Sequence, residues 1–265
     1  MLISSLPVRR LGIPGDHARL RFSSTNSAAR HLLVEGEPAF ELSFWCGTCP
    51  FLFRRKVGAD KTFSADVGSL EGLQRQDDVV DERVIDTFAR LLPEGDYLPL
   101  LLDVQPELVA PHDDRDYFTR EQPATWAPDS FWALPENPRS YYYRTFETAI
   151  AHDQHLYEFV VPMVPPAWNS RDRVQHYADL IDQGMPPTAV TLSTLDICQP
   201  AELESTDYYA HWGLSHFLLD GHHKMEAAAR AGGRVRLLAL VSLAGSLAAA
   251  EDVARLPQLL TRPLQ

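Results

Sequence analysis

The reading turns on one stretch, His216-Phe217-Leu218-Leu219-Asp220-Gly221-His222-His223-Lys224-Met225-Glu226-Ala227-Ala228-Ala229. His216 to Leu219 is a short apolar run that reads as a buried strand. Asp220-Gly221-His222-His223 follows as a turn, and Lys224 to Ala231 as an alanine-rich helix ended by Gly232-Gly233. A strand that feeds a helix through glycine presents free N–H groups and the positive end of the helix dipole at one point. That point favours an anion. Gly221 lets backbone approach a ligand, and His222, His223 and Lys224 add donors facing phosphate oxygens. Asp220, at the strand end, is placed to hold a metal ion, a hydroxyl or one of the histidines. Ala227 and Ala228 let the helix lie close to a sheet.

Outward from this stretch the pattern stays regular. Tyr157 to Val164 is a β-rich run broken by Pro165-Pro166. Asn169 or Ser170 caps a helix over 171–183, where Val174, Tyr177, Ala178 and Ile181 share a face. Gly184 fits its C-terminal cap, and Pro186-Pro187 leads into a strand from Thr188 to Ser193. Leu195 to Trp212 reads as a polar loop, Arg234 to Ser242 as a strand, and Leu247 to Leu256 as a last helix. The fold class expected is α/β or α+β.

Gly221-His222-His223-Lys224-Met225-Glu226-Ala227 resembles the Gly-x-x-Arg-x-x-Ala phosphate motif of the ParB/sulfiredoxin superfamily, and the order of elements around it is similar. The resemblance covers about residues 155–245. It implies a ParB/sulfiredoxin-like module that binds nucleotide phosphates, with ATP, ADP or CTP and Mg²⁺ as cofactors. The Asp-Gly-His-His form is most similar to the free-serine-kinase branch, which implies phosphoryl transfer to a small hydroxyl acceptor. Asp172 and Asp220 are then the catalytic candidates, with Asp172 as the base. Glu158 lies earlier on the strand, and Arg171 or Arg173 is within reach of phosphate. Two departures matter. Lys224 replaces the usual arginine and lacks its bidentate fork. His222 stands where sulfiredoxins carry the catalytic cysteine, so sulfinic-acid repair is not expected. A non-catalytic nucleotide sensor is the alternative within the same motif.

The first half is less regular. Residues 31–44 read as two strands around Glu35-Gly36-Glu37-Pro38, and Phe51 to Val57 as a short helix. Residues 79–92 read as a helix with Val80, Val84, Phe88 and Leu91 on one face, Tyr97 to Val104 as a strand, and 111–143 as an irregular connection. A division near residue 150 gives an N-terminal part, 1–150, of unassigned fold, and a module with a C-terminal helix, 151–265. Phe131-Trp132 and Tyr141-Tyr142-Tyr143 read as an aromatic patch between the halves.

Trp45-Cys46-Gly47-Thr48-Cys49 is similar to a thioredoxin active-site segment. The pair stands open between buried structural thiols, which are common, half of a zinc site completed by Cys198 or histidines such as His211 and His216, and a thiol oxidoreductase pair. His152 and His155 are a further metal candidate on a shared helical face.

Composition narrows the classes. Residues 1–150 carry 16 basic and 23 acidic groups (−7), and residues 151–265 carry 8 and 13 (−5), for −12 overall. That disfavours a phosphate-backbone partner, so no nucleic acid is expected. No apolar run is long enough for a bilayer, so no membrane is expected either. Three cysteines are not a disulfide framework, and the N-terminus lacks a secretory layout, so the expected location is cytoplasmic. The expected partners are a nucleotide and a small-molecule acceptor. Walker, dinucleotide-fingerprint, nucleophile-elbow and zincin motifs are absent from the sequence.

Overall fold

A computed structural model describes residues 1–14, 17–24, 29–60, 82–127, 137–200 and 209–261. Val80 and Phe131-Trp132 lie outside the described residues. The first elements are β1 (Leu2–Ser5), β2 (Arg9–Leu11), β3 (Leu20–Ser24), β4 (Arg30–Val34), β5 (Glu37–Leu42) and β6 (Phe53–Arg55). They are followed by α1 (Glu82–Ala89), β7 (Gly95–Val104), β8 (Glu107–Val109), α2 (Glu121–Trp126) and β9 (Tyr142–Ala151). The rest of the chain forms β10 (Gln154–Val161), α3 (Arg171–Asp182), β11 (Thr188–Cys198), β12 (Ala210–Asp220), α4 (His222–Ala231), β13 (Val235–Ser242) and α5 (Ala250–Leu259).

The main sheet has nine strands in the order β1-β7-β13-β11-β12-β10-β9-β8, with β2 also on β7. Laid flat, β7 and β8 would be six strand spacings apart, about 29 Å. Only Gln105 and Pro106 join them, a link that spans at most about 10 Å. The sheet is therefore rolled. The contacts of α4 agree, because it packs against β13 and β11, third and fourth in the strand order, and also against β8 at its end. β10-α3-β11-β12-α4-β13 makes a β-α-β-β-α-β unit within this roll. The mixed sheet with helices bears out the α/β or α+β class.

Period-two alternation assigns the two faces. Leu156 and Val160 on β10, Leu214 and Leu218 on β12, and Leu237 and Val241 on β13 join Met225 and Ala228 of α4 and Val253 and Leu256 of α5 in one core. Phe159, Phe217 and Leu240, of opposite parity, join a second core built with the four-stranded sheet β3-β4-β5-β6 and with Val84, Ile85 and Phe88 of α1. The Phe40 and Phe217 rings meet 5.0 Å apart across it.

Three expectations are corrected. Phe51 to Val57 is no helix: β6 pairs with β5, and a 3-10 turn follows at Val57–Asp60. Leu195 to Trp212 is not one polar loop, because β11 runs to Cys198 and β12 starts at Ala210. Its polar residues there, Asp196 and His211, are buried and paired, a pattern that hydrophobicity alone does not show. His152 and His155 share no helix, since they lie at the β9–β10 hairpin. The division drawn near residue 150 falls inside β9, and β7 pairs along its length with β13. The hairpin at 31–44, the strand before Val104 and the helix from 171 follow the sequence reading.

One buried ion pair joins the layers. Arg30 on β4 donates to the Asp196 carboxylate on β11 at 2.9 Å, and to the Ser43 and Gly245 carbonyls. Asp196 also accepts the Leu247 N–H. Both side chains are 2% exposed. Arg30→Ala should lower unfolding free energy by about 3–5 kcal/mol in urea titrations, because it leaves a buried carboxylate unpaired. A loss below about 1 kcal/mol would mean that water reaches Asp196.

Candidate functional site

β10 and β12 are parallel, and β10 ends at Val161 opposite Phe217, three residues before the end of β12 at Asp220. β12 passes through Gly221 into α4, whereas β10 leads through residues 162–170, with a 3-10 turn at Pro166–Trp168, into α3. The His222 and His223 hydrogen bonds to Met163 and Ser170 join the two connections. Gly221 caps α4 at φ +107°, and a Cβ there would sit 2.5 Å from Cβ of Ala189 on β11. The glycine is thus required by close helix–sheet packing as well as by its left-handed backbone.

The predicted donors are turned inward. Lys224 is 8% exposed and gives its ammonium to the Thr188 carbonyl at 2.7 Å and to Asp220 at 2.6 Å. It therefore ties α4 to β11 and β12 and does not present its charge to solvent. The His222 Nε2 accepts the Met163 N–H at 3.1 Å, so the ring is neutral. Burial lowers its pKa to about 4, with His223 assisting and Asp220 opposing. The His223 Nε2 accepts the Ser170 N–H at the start of α3, again at 3.1 Å. Burial lowers its pKa first, then the charge of Arg173. Asn169 donates to Glu226 at 2.6 Å, and Glu226 is also paired with Arg230 and lies 3.8 Å from Arg171. The histidines and Asn169 therefore join the two helix starts to each other. Asp172, Arg171 and Arg173 are exposed on the first turn of α3. Glu158 is elsewhere: it is 1% exposed, faces the inner core and meets His216.

Beside the helix starts lies a cleft of about 560 Å³. Its rim includes Arg54, Arg55, Arg139, Ser140 and Tyr141, and its floor carries Pro162, Val164 and Pro165. Met163 connects it to the motif. Its N–H reaches His222, and its carbonyl faces the Arg55 guanidinium at 3.4 Å. Arg55 is further held by Asp60 at 2.5 Å. Arg139 is exposed and has φ +56°, an uncommon conformation for a non-glycine residue. The Ser140 hydroxyl is buried with no hydrogen-bond partner among the described residues. Tyr141 leaves 47% of its surface open. Sequence reasoning named Tyr141 only within an aromatic patch and missed Arg54, Arg55, Arg139 and Ser140. The only signal was the run Arg54-Arg55-Lys56 in an acidic chain, and Arg139 is brought to it only by the fold.

The cysteine pair is separate. Cys46 is exposed, Cys49 half-buried and Cys198 buried, so the reading of Cys46 as a buried thiol is corrected. No group of three or more His, Cys, Asp or Glu side chains among the described residues could hold a metal ion. His211 is taken up by Tyr117 and Thr125, and His216 by Ser193 and Glu158. No helix among the described residues is long and apolar enough to cross a membrane.

The neutral His222 sets a pH dependence. Its ordinary pKa of 6.5 is lowered to about 4 in the fold. Between these values the unfolded chain binds the proton and the native chain does not. Its effect on stability is therefore flat above about pH 6.5 and destabilising as the pH falls toward 4. His222→Gln, which keeps an acceptor for the Met163 N–H, should flatten part of that decline in urea unfolding measured at several pH values. His211, lowered to about 3 chiefly by burial, supplies another part. An unchanged pH profile in the variant would refute the assignment. Comparison of the chain with family models, with curated proteins and with solved structures found no match.

Proposed function

We propose that the protein binds a phosphate-bearing small molecule, with ATP, ADP or CTP as the first candidates, in the cleft beside the starts of α3 and α4. One observation carries this reading: three arginines, Arg54, Arg55 and Arg139, surround a cleft in a chain of net charge −12. Guanidinium groups match phosphate oxygens in bidentate geometry. A local concentration of them against the overall charge is what anion recognition requires. The starts of α3 and α4, linked to the cleft through Met163 and His222, add partial positive charge. Tyr141 offers an open ring for a base to stack on. The resemblance to the ParB/sulfiredoxin superfamily supports the same ligand class. Its donors here would be arginines and backbone N–H groups, with Lys224 holding the turn in shape.

The residues fit a Mg²⁺ only as one carried by the nucleotide. Such an ion needs one or two protein carboxylates besides the phosphates, and Asp172 and Asp220 are the carboxylates at these helix starts. Asp220 already receives Lys224. Phosphoryl transfer to a hydroxyl acceptor would assign the base to Asp172, which is solvent-exposed on the first turn of α3. A non-catalytic sensor would need neither carboxylate. Asp172→Asn separates the two readings: a transferase loses turnover and keeps ligand affinity, whereas a sensor keeps its whole response.

ATP, ADP or CTP with Mg²⁺ should raise the melting temperature of the wild-type chain. Arg139→Glu should remove most of that rise and leave the unliganded melting temperature close to wild type, because Arg139 is on the surface. A screen in which no nucleotide shifts the wild type overturns the proposal. An equal shift in both proteins moves the site elsewhere.

A further inference from the structure

We propose that Cys46 and Cys49 form a redox-active dithiol that exchanges with external disulfides, a chemistry independent of the nucleotide reading. The two Sγ atoms lie 2.8 Å apart. A disulfide bond is about 2.05 Å long, so closure requires a movement of under about 1 Å. The thiols differ in access, since Cys46 is exposed and Cys49 is half-buried. The loop between them is shaped and anchored. Gly47 turns at φ +69°, and its carbonyl accepts the Gln199 N–H beyond β11. The Thr48 carbonyl accepts the indole N–H of Trp126 at the end of α2. Trp45 lies beneath the Arg30 guanidinium, 4.7 Å from ring centroid to charge. The sulfurs are thus presented by a loop held on both sides, which is what exchange geometry needs.

The means of activation differs from the one the thioredoxin-like spacing suggests. Cys49 leads through residues 50–52 into β6 and not into a helix, so no helix dipole stabilises a thiolate there. Burial alone would raise the Cys46 pKa. Hydrogen bonds from Cys49, from the Thr48 hydroxyl and from the N–H groups of Thr48 and Cys49 reverse this and bring it below its ordinary value. Cys49 moves the other way: burial and the neighbouring sulfur push it up to about 12. One thiol is therefore the attacking sulfur and the other the resolving one. Cys198 takes no part, because it is buried and burial raises its pKa.

The step balances with an external disulfide as the oxidant. The Cys46 thiolate attacks one sulfur of that disulfide. A bond forms from Cys46 Sγ, the external S–S bond breaks, and the first external thiolate leaves with the electron pair and takes up a proton. Cys49 loses its proton and attacks Cys46 Sγ, which forms the internal disulfide and expels the second external thiolate. The chain loses two electrons and two protons, and the external disulfide becomes two thiols. Transient disulfides of this kind are compatible with a reducing compartment.

The test uses the full chain equilibrated in glutathione buffers, alkylated with a maleimide in the native state and weighed intact. Oxidised glutathione should protect two thiols in the wild type and in Cys198→Ser, and dithiothreitol should return both. Cys49→Ser should accumulate one glutathione per chain at least roughly tenfold faster than Cys46→Ser. Wild-type thiols that stay open to maleimide after oxidation overturn the proposal. So do equal rates for the two single variants, loss of protection in Cys198→Ser, or stoichiometric zinc on the purified chain that is released when the pair is alkylated.

Discussion

The two-residue link between β7 and β8 is the constraint from which the rest of the architecture follows. Gln105 and Pro106 cannot bridge the width of a flat sheet, so the strands between must roll until the far edge meets the near one. Rolling creates an inner and an outer face with different demands. The inner face takes α4 and α5 against aliphatic residues. The outer face is left apolar and beyond the reach of α4 and α5. The small sheet β3-β4-β5-β6 and α1 cover it with Phe40, Phe51, Phe53 and Phe88. The N-terminal residues are in this sense a lid over the outer core, and Arg30 with Asp196 fixes the lid at one place.

The same roll determines where a ligand can be held. Parallel neighbours in a sheet deliver their C-terminal ends to one edge, and here β10 and β12 do so. The chain leaves β12 straight into α4 and β10 through a short connection into α3, and His222 and His223 join the two starts. The lid then brings Arg54 and Arg55 from β6 to that edge, and the connection before β9 brings Arg139. Charge is assembled at this point from two segments, neither of them basic enough to stand out alone in a chain of −12.

This explains what could and could not be read from the sequence. β12 into α4 was legible because each signal there is local: an apolar run, a glycine with positive φ, and the paired alanines, of which Ala228 packs on the sheet and Ala227 on α3. α3 was legible from its 3.6-residue period and from Gly184 at its end, where φ is +74°. The ends of β11 and β12 were not, because Asp196, His211 and Ser215 are polar residues in buried positions. Arg30 and Tyr117, on other elements, make the burial of Asp196 and His211 tolerable. Lys224 was misjudged for the same reason. Its charge reads as a ligand contact in one dimension, and only the fold shows Asp220 and the Thr188 carbonyl within reach. The cleft was invisible because its arginines are more than eighty residues apart.

The inner face carries one more consequence of the roll. Thr145, Glu158, His216, Ser193 and Thr191 form a continuous chain of hydrogen bonds across β9, β10, β12 and β11. Burial works against the Glu158 charge, yet the hydrogen bond and charge of His216, the terminal ammonium and the Thr145 hydroxyl hold its pKa below the ordinary value. Replacing such a chain with aliphatic residues would often cost nothing in stability. Its benefit is therefore better sought in specificity. In a rolled sheet of mostly aliphatic strands, a register slip of two residues keeps every side chain on its own face. Apolar packing penalises that slip only weakly. A slip of β12 by two residues would carry His216 away from both Ser193 and Glu158 and leave a buried carboxylate unpaired, at a cost of several kcal/mol. The polar chain thus selects the one register in which Val161 stands opposite Phe217, and that alignment is what lets His222 and His223 meet Met163 and Ser170 at the starts of the two connections.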